Sequence, residues 1–517
     1  MRKVGLVVLN MALALTVLAG CTTKSATESA APNSSGNPQQ SPGSTAAGST
    51  ALAKNTFTAL LETNASWPYN KDWPIWKYFE EKTGATWNVQ LPSGNLQDTT
   101  TLNVASGSLP DLTFGYTPIA NTYGIQGVFA NILDYTDIMP NFKKWMDKYP
   151  TYVKASLASD GKMYVFPNEG YGKANGMSWL YRQDIFQKNN LKPPATFDEF
   201  YQELKQLKRI YPDSTPFVFR NGLNILSNMA PSFDTNGGYY LDKNSNKAKF
   251  GPIEPNYKKM VEYLHKFYVD GLIPADFLTV DTKRWQDMIS TNKSFVTNDY
   301  IVRIDFFNTP MRKENPDSTL AFMPPASGFA GTKPLLLNTQ SVDGGLMVSA
   351  KSKKIKEIMK MMDFFYSEEG KTMASWGKEG ETFTVANGKK QFKPGLFSNA
   401  TELANKYGLT TLGTYTWFDF DAYKSIISPS LQSAYDEADK YMDAYSPLPK
   451  NTQDELDTLS ITGKAVTDAY SESISKFIVG QRSLDEWDQY VEELKKAGLQ
   501  KTLDVYQAAF DRVQKTK

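Results

Sequence analysis

Short apolar runs alternate with amphipathic stretches along most of the chain. Residues 57–61 and 87–91 are typical of strands, and residues 109–114 predict a third strand entered from a turn. Between the first two, residues 73–83 carry apolar side chains at helical spacing and stop at Gly84, which favours a left-handed helix end. This irregular alternation of strands and helices predicts an α/β fold.

Two further helix starts carry capping signals. Thr196 is followed three positions later by Glu199, and Ser483 by Glu486, which is the spacing of a capping box. Helices are predicted behind both, and the second should stop at Gly498. Residues 345–350 predict a strand, and a helix is expected over 355–366. From residue 54 onward the chain has about 460 residues, too many for one hydrophobic core, so we expect two lobes.

The first twenty residues have the layout of a secretory signal peptide. Arg2 and Lys3 precede an apolar stretch over residues 4–18, too short for a membrane span and ending in small residues. The run LAGC that ends at Cys21 resembles a bacterial lipobox, in which the cysteine thiol receives a diacylglyceryl group before cleavage. Two acyl chains hold a protein stably on a bilayer. We therefore expect the mature protein to begin at Cys21, on the extracellular face of a cell membrane, as in Gram-positive bacteria.

A polar linker is predicted over residues 21–53. It consists of Ser, Thr, Ala, Gly, Pro, Asn and Gln with almost no large apolar residue, so it cannot bury enough surface to offset its ordering entropy. We expect it to be disordered and to tether the folded body to the membrane.

Charge and motif content exclude several classes of function. The chain has 56 basic and 55 acidic residues, and the basic ones are spread over predicted helix faces such as residues 351–360. This pattern does not favour binding to nucleic acid. The sequence has no Walker loop and no strand-linked GxGxxG, so no nucleotide cofactor is expected.

Histidine and cysteine are too scarce for many catalytic and metal sites. His265 is the only histidine and lies in a predicted amphipathic helix, where a packing role is expected, and Cys21 is the only cysteine. A Ser-His-Asp triad would have to use His265, and zinc sites built from both residue types are excluded by count. Residues 242–246 imitate the start of an EF-hand, but Lys247 stands where glycine is needed. A polar hairpin turn is predicted there, and no metal site is expected.

Carboxylate chemistry leaves one enzymatic alternative. Asn168 and Glu169, after a strand-like stretch, resemble the Asn-Glu pair of some glycosidase barrels, and paired carboxylates hydrolyse glycosides without histidine. Those barrels repeat a strand-helix unit eight times, and no such repeat is present. A secreted glycoside hydrolase or lyase is therefore an alternative hypothesis, and no catalysis is the main one.

Five motifs occur in order along the body. They are VASGSLPDL at residues 104–112, WLYRQD at 179–184 with PATFDEF at 194–200, YVDGLIPADF at 268–277, WGKEG at 376–380, and FIVG at 477–480 with Trp487. Each motif alone is loose, but their shared order resembles the extracellular solute-binding proteins of ABC importers. The resemblance is strongest to the large lipoprotein type that serves oligosaccharide uptake.

The resemblance implies a two-lobed, periplasmic-binding-protein-like α/β fold with the ligand in a cleft between the lobes. Crossings between lobes are expected near residues 172–178, 338–345 and 382–392. Lobe one would then comprise residues 54–175 and 345–385, and lobe two residues 176–344 and 386–517. Such proteins close on their ligand, and the closed form is what the permease recognises. We expect a monomer whose partners are a carbohydrate and the transmembrane subunits of an ABC permease, or alternatively the ligand-loading subunit of a sensor.

No calcium site is expected in this chain, although the family that it resembles includes calcium-binding members. Several relatives have an Asp/Asn-Gly-rich calcium loop after the capping-box helix, whereas this chain has RIYPDSTPF at residues 209–217. That stretch is too short and too poor in oxygen ligands.

Aromatic and charged residues near predicted strand ends are the candidate ligand-binding set. A pyranose has an apolar C–H face that stacks on Trp or Tyr, and hydroxyls that pair with Asp, Glu, Asn or Arg. Binding loops in open α/β sheets follow the carboxyl ends of strands. The candidates are Trp67, Tyr69, Tyr116, Trp179, Arg182, Asp299, Tyr300, Arg303, Trp376, Glu379 and Trp417. For each aromatic residue, packing inside the protein is the alternative.

Overall fold

The computed structural model describes residues 54–64, 67–168, 174, 176–338, 344–411, 419–444 and 447–515. The predicted signal peptide, Cys21, the linker, Glu169 and Trp417 lie outside these residues.

The strands of the described part form two main sheets and two hairpins. They are β1 (Asn55–Leu60), β2 (Ala85–Gln90), β3 (Leu112–Tyr116), β4 (Met177–Arg182), β5 (Tyr239–Asp242), β6 (Lys247–Phe250), β7 (Val296–Tyr300), β8 (Leu320–Met323), β9 (Gly344–Val348), β10 (Phe383–Ala386) and β11 (Lys389–Phe392).

Helices surround these strands and dominate the C-terminal third. They are α1 (Pro74–Thr83), α2 (Leu96–Ser106), α3 (Thr117–Gly124), α4 (Pro140–Lys148), α5 (Pro150–Ser156), α6 (Gln183–Lys188), α7 (Phe197–Ile210), α8 (Asn224–Met229), α9 (Pro255–Val269), α10 (Thr282–Ser290), α11 (Arg303–Glu314), α12 (Ile355–Phe365), α13 (Glu368–Trp376), α14 (Ala400–Tyr407), α15 (Phe420–Lys424), α16 (Pro429–Ala438), α17 (Gln453–Thr458), α18 (Lys464–Ile478), α19 (Trp487–Ala497) and α20 (Leu499–Lys515).

The first sheet has the strand order β2-β1-β3-β9. β1 is parallel to β2 and to β3, while β9 runs antiparallel to β3. Its core contains Phe57, Phe79, Leu112 and Leu346, each at most 1% exposed. The register pairs Tyr116, the last residue of β3, with Gly344, the first residue of β9.

The second sheet has the order β7-β4-β8, with β4 antiparallel to both neighbours. Its core is a separate apolar cluster that includes Trp179, Phe217, Tyr257 and Trp285. The register pairs Met177, the first residue of β4, with Tyr300, the last residue of β7. The predicted α/β fold is therefore confirmed, and each main sheet has its own hydrophobic core.

Local signals in the sequence located most elements to within a few residues. The first helix ends at Gly84 in the left-handed conformation, with φ of 67°. Thr196 accepts a hydrogen bond from the Glu199 amide at 3.2 Å, as predicted, although the Glu199 carboxylate accepts from Ala195 instead of Thr196. At Ser483 the predicted capping box is wrong, because a 3-10 turn over Leu484–Glu486 precedes α19.

Two segments that were predicted to have structural roles are a hairpin turn and a helix-packing histidine. The segment after Asp242 is the turn of the β5–β6 hairpin, as predicted. His265 lies on α9, and its Nδ1 is 3.0 Å from the carbonyl oxygen of Ile478 on α18, which is a helix-packing contact.

The predicted third crossing at residues 382–392 is wrong. This segment forms the β10–β11 hairpin, and Phe383 and Phe392 pack around Trp376. The chain then continues in the first core, where Leu403 and Leu409 are fully buried. The first core therefore extends beyond the predicted boundary at residue 385.

Among the described residues, no helix has both the length and the apolar character needed to cross a bilayer.

Candidate functional site

One edge of the second sheet gathers charged and aromatic side chains. Phe217 forms a parallel bridge with Val296, and the amide of Val218 donates to the Val296 carbonyl at 3.0 Å. This short segment therefore runs beside β7 in the same direction. Arg220 follows this segment and Tyr300 is the last residue of β7. Both residues therefore lie at carboxyl ends on one edge, where ligands bind in open α/β sheets.

Asp299 is the centre of an ion cluster at this edge. Its side chain is 2% exposed. Arg220 donates to it through Nε at 2.6 Å and Nη2 at 3.0 Å, and Arg303, on the first turn of α11, donates through Nε at 3.1 Å. The Tyr300 amide donates to the same carboxylate at 2.9 Å. Three of these bonds end on Oδ1 and one on Oδ2, and the side chain is 2% exposed, so the carboxylate is directed at the two arginines and is covered from solvent.

Aromatic rings hold both guanidinium groups in place. The buried Trp285 ring lies 5.2 Å from the Arg220 guanidinium carbon and 5.5 Å from that of Arg303. Two more rings lie at the surface, Tyr300 at 37% exposed and Phe306 at 40% exposed. The Phe306 ring centre is 5.1 Å from the Arg303 guanidinium carbon. Cation–π contacts of this kind restrict the guanidiniums, whose side chains are 14% and 18% exposed. The cluster therefore presents apolar rings and hydrogen-bond donors side by side.

The Asp299 cluster lies beside the point where the chain passes between the two cores. Phe166 belongs to the first core, and β4, which begins at Met177, lies in the second sheet beside Tyr300. In the other direction, Leu336 belongs to the second core and Gly344 pairs with Tyr116 in the first sheet. Tyr300 therefore lies beside Met177, where the chain enters the second sheet, and Tyr116 lies beside Gly344, where it returns to the first sheet.

Two buried asparagines near these passages have unpaired acceptors. Asn168, the last described residue before the first passage, and Asn298, two residues before Tyr300, are each 4% exposed. Their Oδ1 atoms have no hydrogen-bond partner among the described residues. Buried acceptors without partners are costly, so such atoms are suited to hydroxyl groups supplied by a ligand or by water.

On the first sheet, Tyr116 pairs with a glutamate. Its hydroxyl group donates to Glu62 at 3.4 Å, and partial desolvation raises the pKa of Glu62 above its ordinary value. Tyr116 also lines a cavity of about 350 Å³ together with Thr100, Ile119 and Tyr123.

Trp67 and Tyr69 lie on the loop that leads from β1 to α1. Trp67 is half-buried and forms a bridge with Asn64. The Tyr69 ring contacts Trp73 and Trp76, each at 5.8 Å between centroids, and lines a groove of about 800 Å³ along α1 and the edge strand β2. Tyr69 and Tyr116 therefore line different cavities.

Trp179 and Arg182 are not available to a ligand in this structure. Trp179 is 2% exposed and packs against Phe200 and Phe217 in the second core. Arg182 is also 2% exposed and forms an ion pair with Asp184, with 2.6 Å between Nη2 and Oδ2. Both predictions are corrected, because strand β4 is central in its sheet and its side chains are covered on both faces.

Trp376 is likewise part of the protein interior. It is 4% exposed, its ring stacks on Phe392 at 4.6 Å, and its indole N–H donates to Asp419 at 2.7 Å. The prediction that it stacks on sugar is corrected. Glu379 is exposed in the turn before β10, which belongs to a different sheet from the Asp299 cluster. Trp417 lies outside the described residues.

Of the predicted set, the structure brings together Asp299, Tyr300 and Arg303. Sequence reasoning missed Arg220, Trp285 and Phe306. Arg220 had a signal that could have found it, since it follows the apolar run Phe217–Phe219 directly. Within the described part of the chain, no group of three or more His, Cys, Asp or Glu side chains is arranged to hold a metal ion.

Comparison with known proteins identifies a family and a fold. A family model described as bacterial extracellular solute-binding protein matches residues 75–388. The fructooligosaccharide ABC transporter substrate-binding protein FusA of Streptococcus pneumoniae is 24% identical over 481 residues, covering 86% of this chain and 87% of FusA. The polygalacturonan/rhamnogalacturonan-binding protein YtcQ of Bacillus subtilis is 23% identical over 442 residues, covering 82% and 84%.

A solved structure shows the same fold. The alginate-binding protein AlgQ2 without calcium ion superposes with a TM-score of 0.73 at 22% identity, covering 88% of this chain and 98% of AlgQ2. The superposition covers most of both chains, so the two-lobed binding-protein architecture expected from the sequence is confirmed.

Proposed function

Because the chain belongs to the bacterial extracellular solute-binding proteins, which are not enzymes, we propose that it captures an oligosaccharide in a cleft between two lobes and delivers it to an ABC importer. The matched relatives support this substrate class, since FusA is named for fructooligosaccharide and YtcQ for polygalacturonan and rhamnogalacturonan. The importer is expected to supply the energy for transport, because the sequence carries no ATP-binding motif.

The observation that carries the proposal is the Asp299 cluster. Tyr300 and Phe306 expose rings on which the C–H face of a pyranose stacks, and Arg220 and Arg303 offer N–H donors beside them. In this proposal Asp299 is a positioning residue, since its side chain is 2% exposed and pairs with both arginines.

The opposite wall of the cleft is proposed to come from the first sheet. Tyr116 and Glu62 would face the ligand from the end of β3, and Asn168 and Asn298 would accept hydrogen bonds from hydroxyls near the chain passages. Trp67, Tyr69 and Glu379 stay predictions, since no contact among the described residues ties them to this cluster, and Trp417, outside the described residues, stays a prediction too.

The two lobes are proposed to correspond to the two cores. Lobe one would contain residues 54–168 and 344–409, and lobe two residues 176–338 and 419–515. A hydrogen bond of 2.9 Å from the Gln126 side chain to the Gln453 side chain connects the two lobes. Neither residue belongs to the Asp299 cluster. A ligand that contacts both lobes favours the closed form over the open form, and the permease would recognise the closed form.

Anchoring through Cys21 completes the proposal. The lipobox-like run LAGC and the polar linker support a lipoprotein on the extracellular face of the membrane. Replacing Cys21 by Ser should release the protein from the membrane fraction into the medium. Retention of the Cys21→Ser protein in membranes would contradict anchoring without touching the binding proposal.

Calorimetric titration with oligosaccharides tests binding. The lipoprotein, extracted from membranes in detergent, is titrated with fructan, pectic, glucan and host-type oligosaccharides, and each sugar is recovered and analysed afterwards. Saturable binding of at least one intact sugar is expected. A sugar recovered cleaved would support the hydrolase alternative, and the absence of binding to every sugar would refute the carbohydrate assignment. Loss of uptake of the bound sugar from cells lacking the protein tests delivery separately.

A further inference from the structure

The Arg220–Asp299–Arg303 cluster has one positive charge more than it has negative charges. Both guanidiniums pair with the same carboxylate, and among the described residues no second carboxylate contacts either of them. Their side chains are only 14% and 18% exposed. A largely desolvated positive charge without a counterion is costly, so the site gains most from a ligand that is itself an anion.

Arg303 has unused donors in a suitable geometry. Its Nε is bonded to Asp299, whereas Nη1 and Nη2 have no hydrogen-bond partner within the described ranges. Arg220 has one further contact, from Nη1 to the Thr282 hydroxyl at a long 3.4 Å. A guanidinium presents its free N–H groups as a planar fork that matches the two oxygens of a carboxylate.

Exposed rings flank this fork. Phe306 lies 5.1 Å and Tyr300 6.0 Å from the Arg303 guanidinium carbon, and both rings are more than a third exposed. A ligand that fills the site must therefore offer an apolar ring face and an anionic group within a few ångströms of each other. A sugar acid has both, because its carboxylate projects from the rim of the pyranose whose C–H face stacks.

We infer that the ligand is an oligosaccharide containing a uronic acid, with the uronate carboxylate paired to Arg303 and Arg220 and the sugar ring on Tyr300 or Phe306. This inference rests on the proposed function, because it assigns a substrate class to the same cleft. Asp299 then has a second role, since it neutralises one guanidinium and leaves a single charge for a single carboxylate.

Paired acidic and neutral sugars test this inference. The detergent-extracted lipoprotein is titrated with oligogalacturonates, oligomannuronates, the methyl ester of each, and sulfated galactan oligosaccharides. At least one uronate should bind, at least tenfold more tightly than its methyl ester, and the affinity should fall as salt is raised. The methyl ester preserves the ring and its hydroxyls, so it isolates the contribution of the charge.

Arginine variants locate the contact. Arg303→Gln should lose at least tenfold in affinity for the uronate and little for its ester, and Arg303→Lys, which keeps the charge without the fork, should lose less. Arg284→Gln is the matched control, because Arg284 is an exposed arginine on α10 paired with Asp276, and its affinity should be unchanged. If Arg303→Gln does not fold, the Arg303→Lys variant carries the comparison.

The outcomes separate the two proposals. Equal binding of uronates and esters, preference for the sulfated sugars, or binding of neutral oligosaccharides alone would overturn the uronate assignment and leave a carbohydrate-binding protein in place. Absence of binding by acidic and neutral sugars alike would contradict both.

Discussion

Replacing Asp299 by Asn tests whether one buried carboxylate holds the site together. The variant keeps the size of the side chain but removes the charge. Of the four donors that now converge on the carboxylate, the Asn carbonyl oxygen can serve about two, and the Asn amide group would face N–H donors of Arg220 or Arg303. Two guanidiniums would then be left close together without a counterion.

The magnitude follows from burial. Breaking a buried ion pair by removing one partner costs about 3–5 kcal/mol. The two arginine side chains are 14% and 18% exposed, so water recovers part of this cost, and we expect the lower end, about 3 kcal/mol. At about 2 °C per kcal/mol for a lobe of this size, the thermal midpoint of the second lobe should fall by about 6 °C.

Differential scanning calorimetry of the purified lipoprotein measures this shift. Asp276→Asn is the control, because Asp276 also pairs with an arginine but the pair is 44% and 48% exposed, so its loss should cost less than about 1 kcal/mol. If Asp299→Asn melts no earlier than Asp276→Asn, the arginines do not depend on Asp299 and the reasoning about the cluster is refuted.

Three other predictions follow from burial and charge. Tyr300→Ala should weaken oligosaccharide binding about tenfold, or about 1.4 kcal/mol, without lowering the melting temperature, because the ring is 37% exposed; unchanged affinity in calorimetric titration would remove it from the site. Trp376→Ala should instead lower the free energy of unfolding in urea by about 3–5 kcal/mol, since the ring is buried, stacks on Phe392 and donates to Asp419; an unchanged unfolding midpoint would contradict its packing role. Burial lowers the pKa of Lys450 from 10.5 to about 8, so between these values the unfolded chain binds more protons and stability should rise with pH. Lys450→Met should abolish this rise in urea unfolding at pH 7.5 and 10, and an identical rise in the variant would show that another group causes it.

The elements of the fold could be predicted because their signals are local. Gly84 ends a helix since it adopts the left-handed conformation at low cost, and the Thr196 hydroxyl caps a helix through an amide three residues away. The boundary between lobes could not be predicted in the same way. Leu403 and Leu409 belong to the first core, and between them the Asn405 carbonyl accepts a hydrogen bond at 2.8 Å from the indole of Trp73, 332 positions earlier. No local pattern encodes such a contact.

The same distinction explains which site residues were found. Asp299 and Tyr300 end strand β7 and Arg303 follows it, and the carboxyl end of a strand is a position that sequence can locate. Trp179 and Trp376 had the right chemistry, but whether an indole faces a cleft or a core depends on the elements packed over it, here α7 and the β10–β11 hairpin. Arg220 follows the apolar run Phe217–Phe219, and that signal could have located it, but the run is short and its pairing beside β7 is visible only in the structure.

The net charge of the whole chain does not reveal the local excess of positive charge at the Asp299 cluster. With 56 basic and 55 acidic residues, the sequence as a whole indicates no preference for an anionic ligand. Specificity depends on the few charges that are desolvated together, and at the Asp299 cluster these are two guanidiniums and one carboxylate. Because exposed charges elsewhere are screened within about 10 Å at ordinary salt, they neither add to this local excess nor cancel it. A balanced chain can therefore hold a site that selects an acid, and the methyl-ester comparison measures that local excess directly.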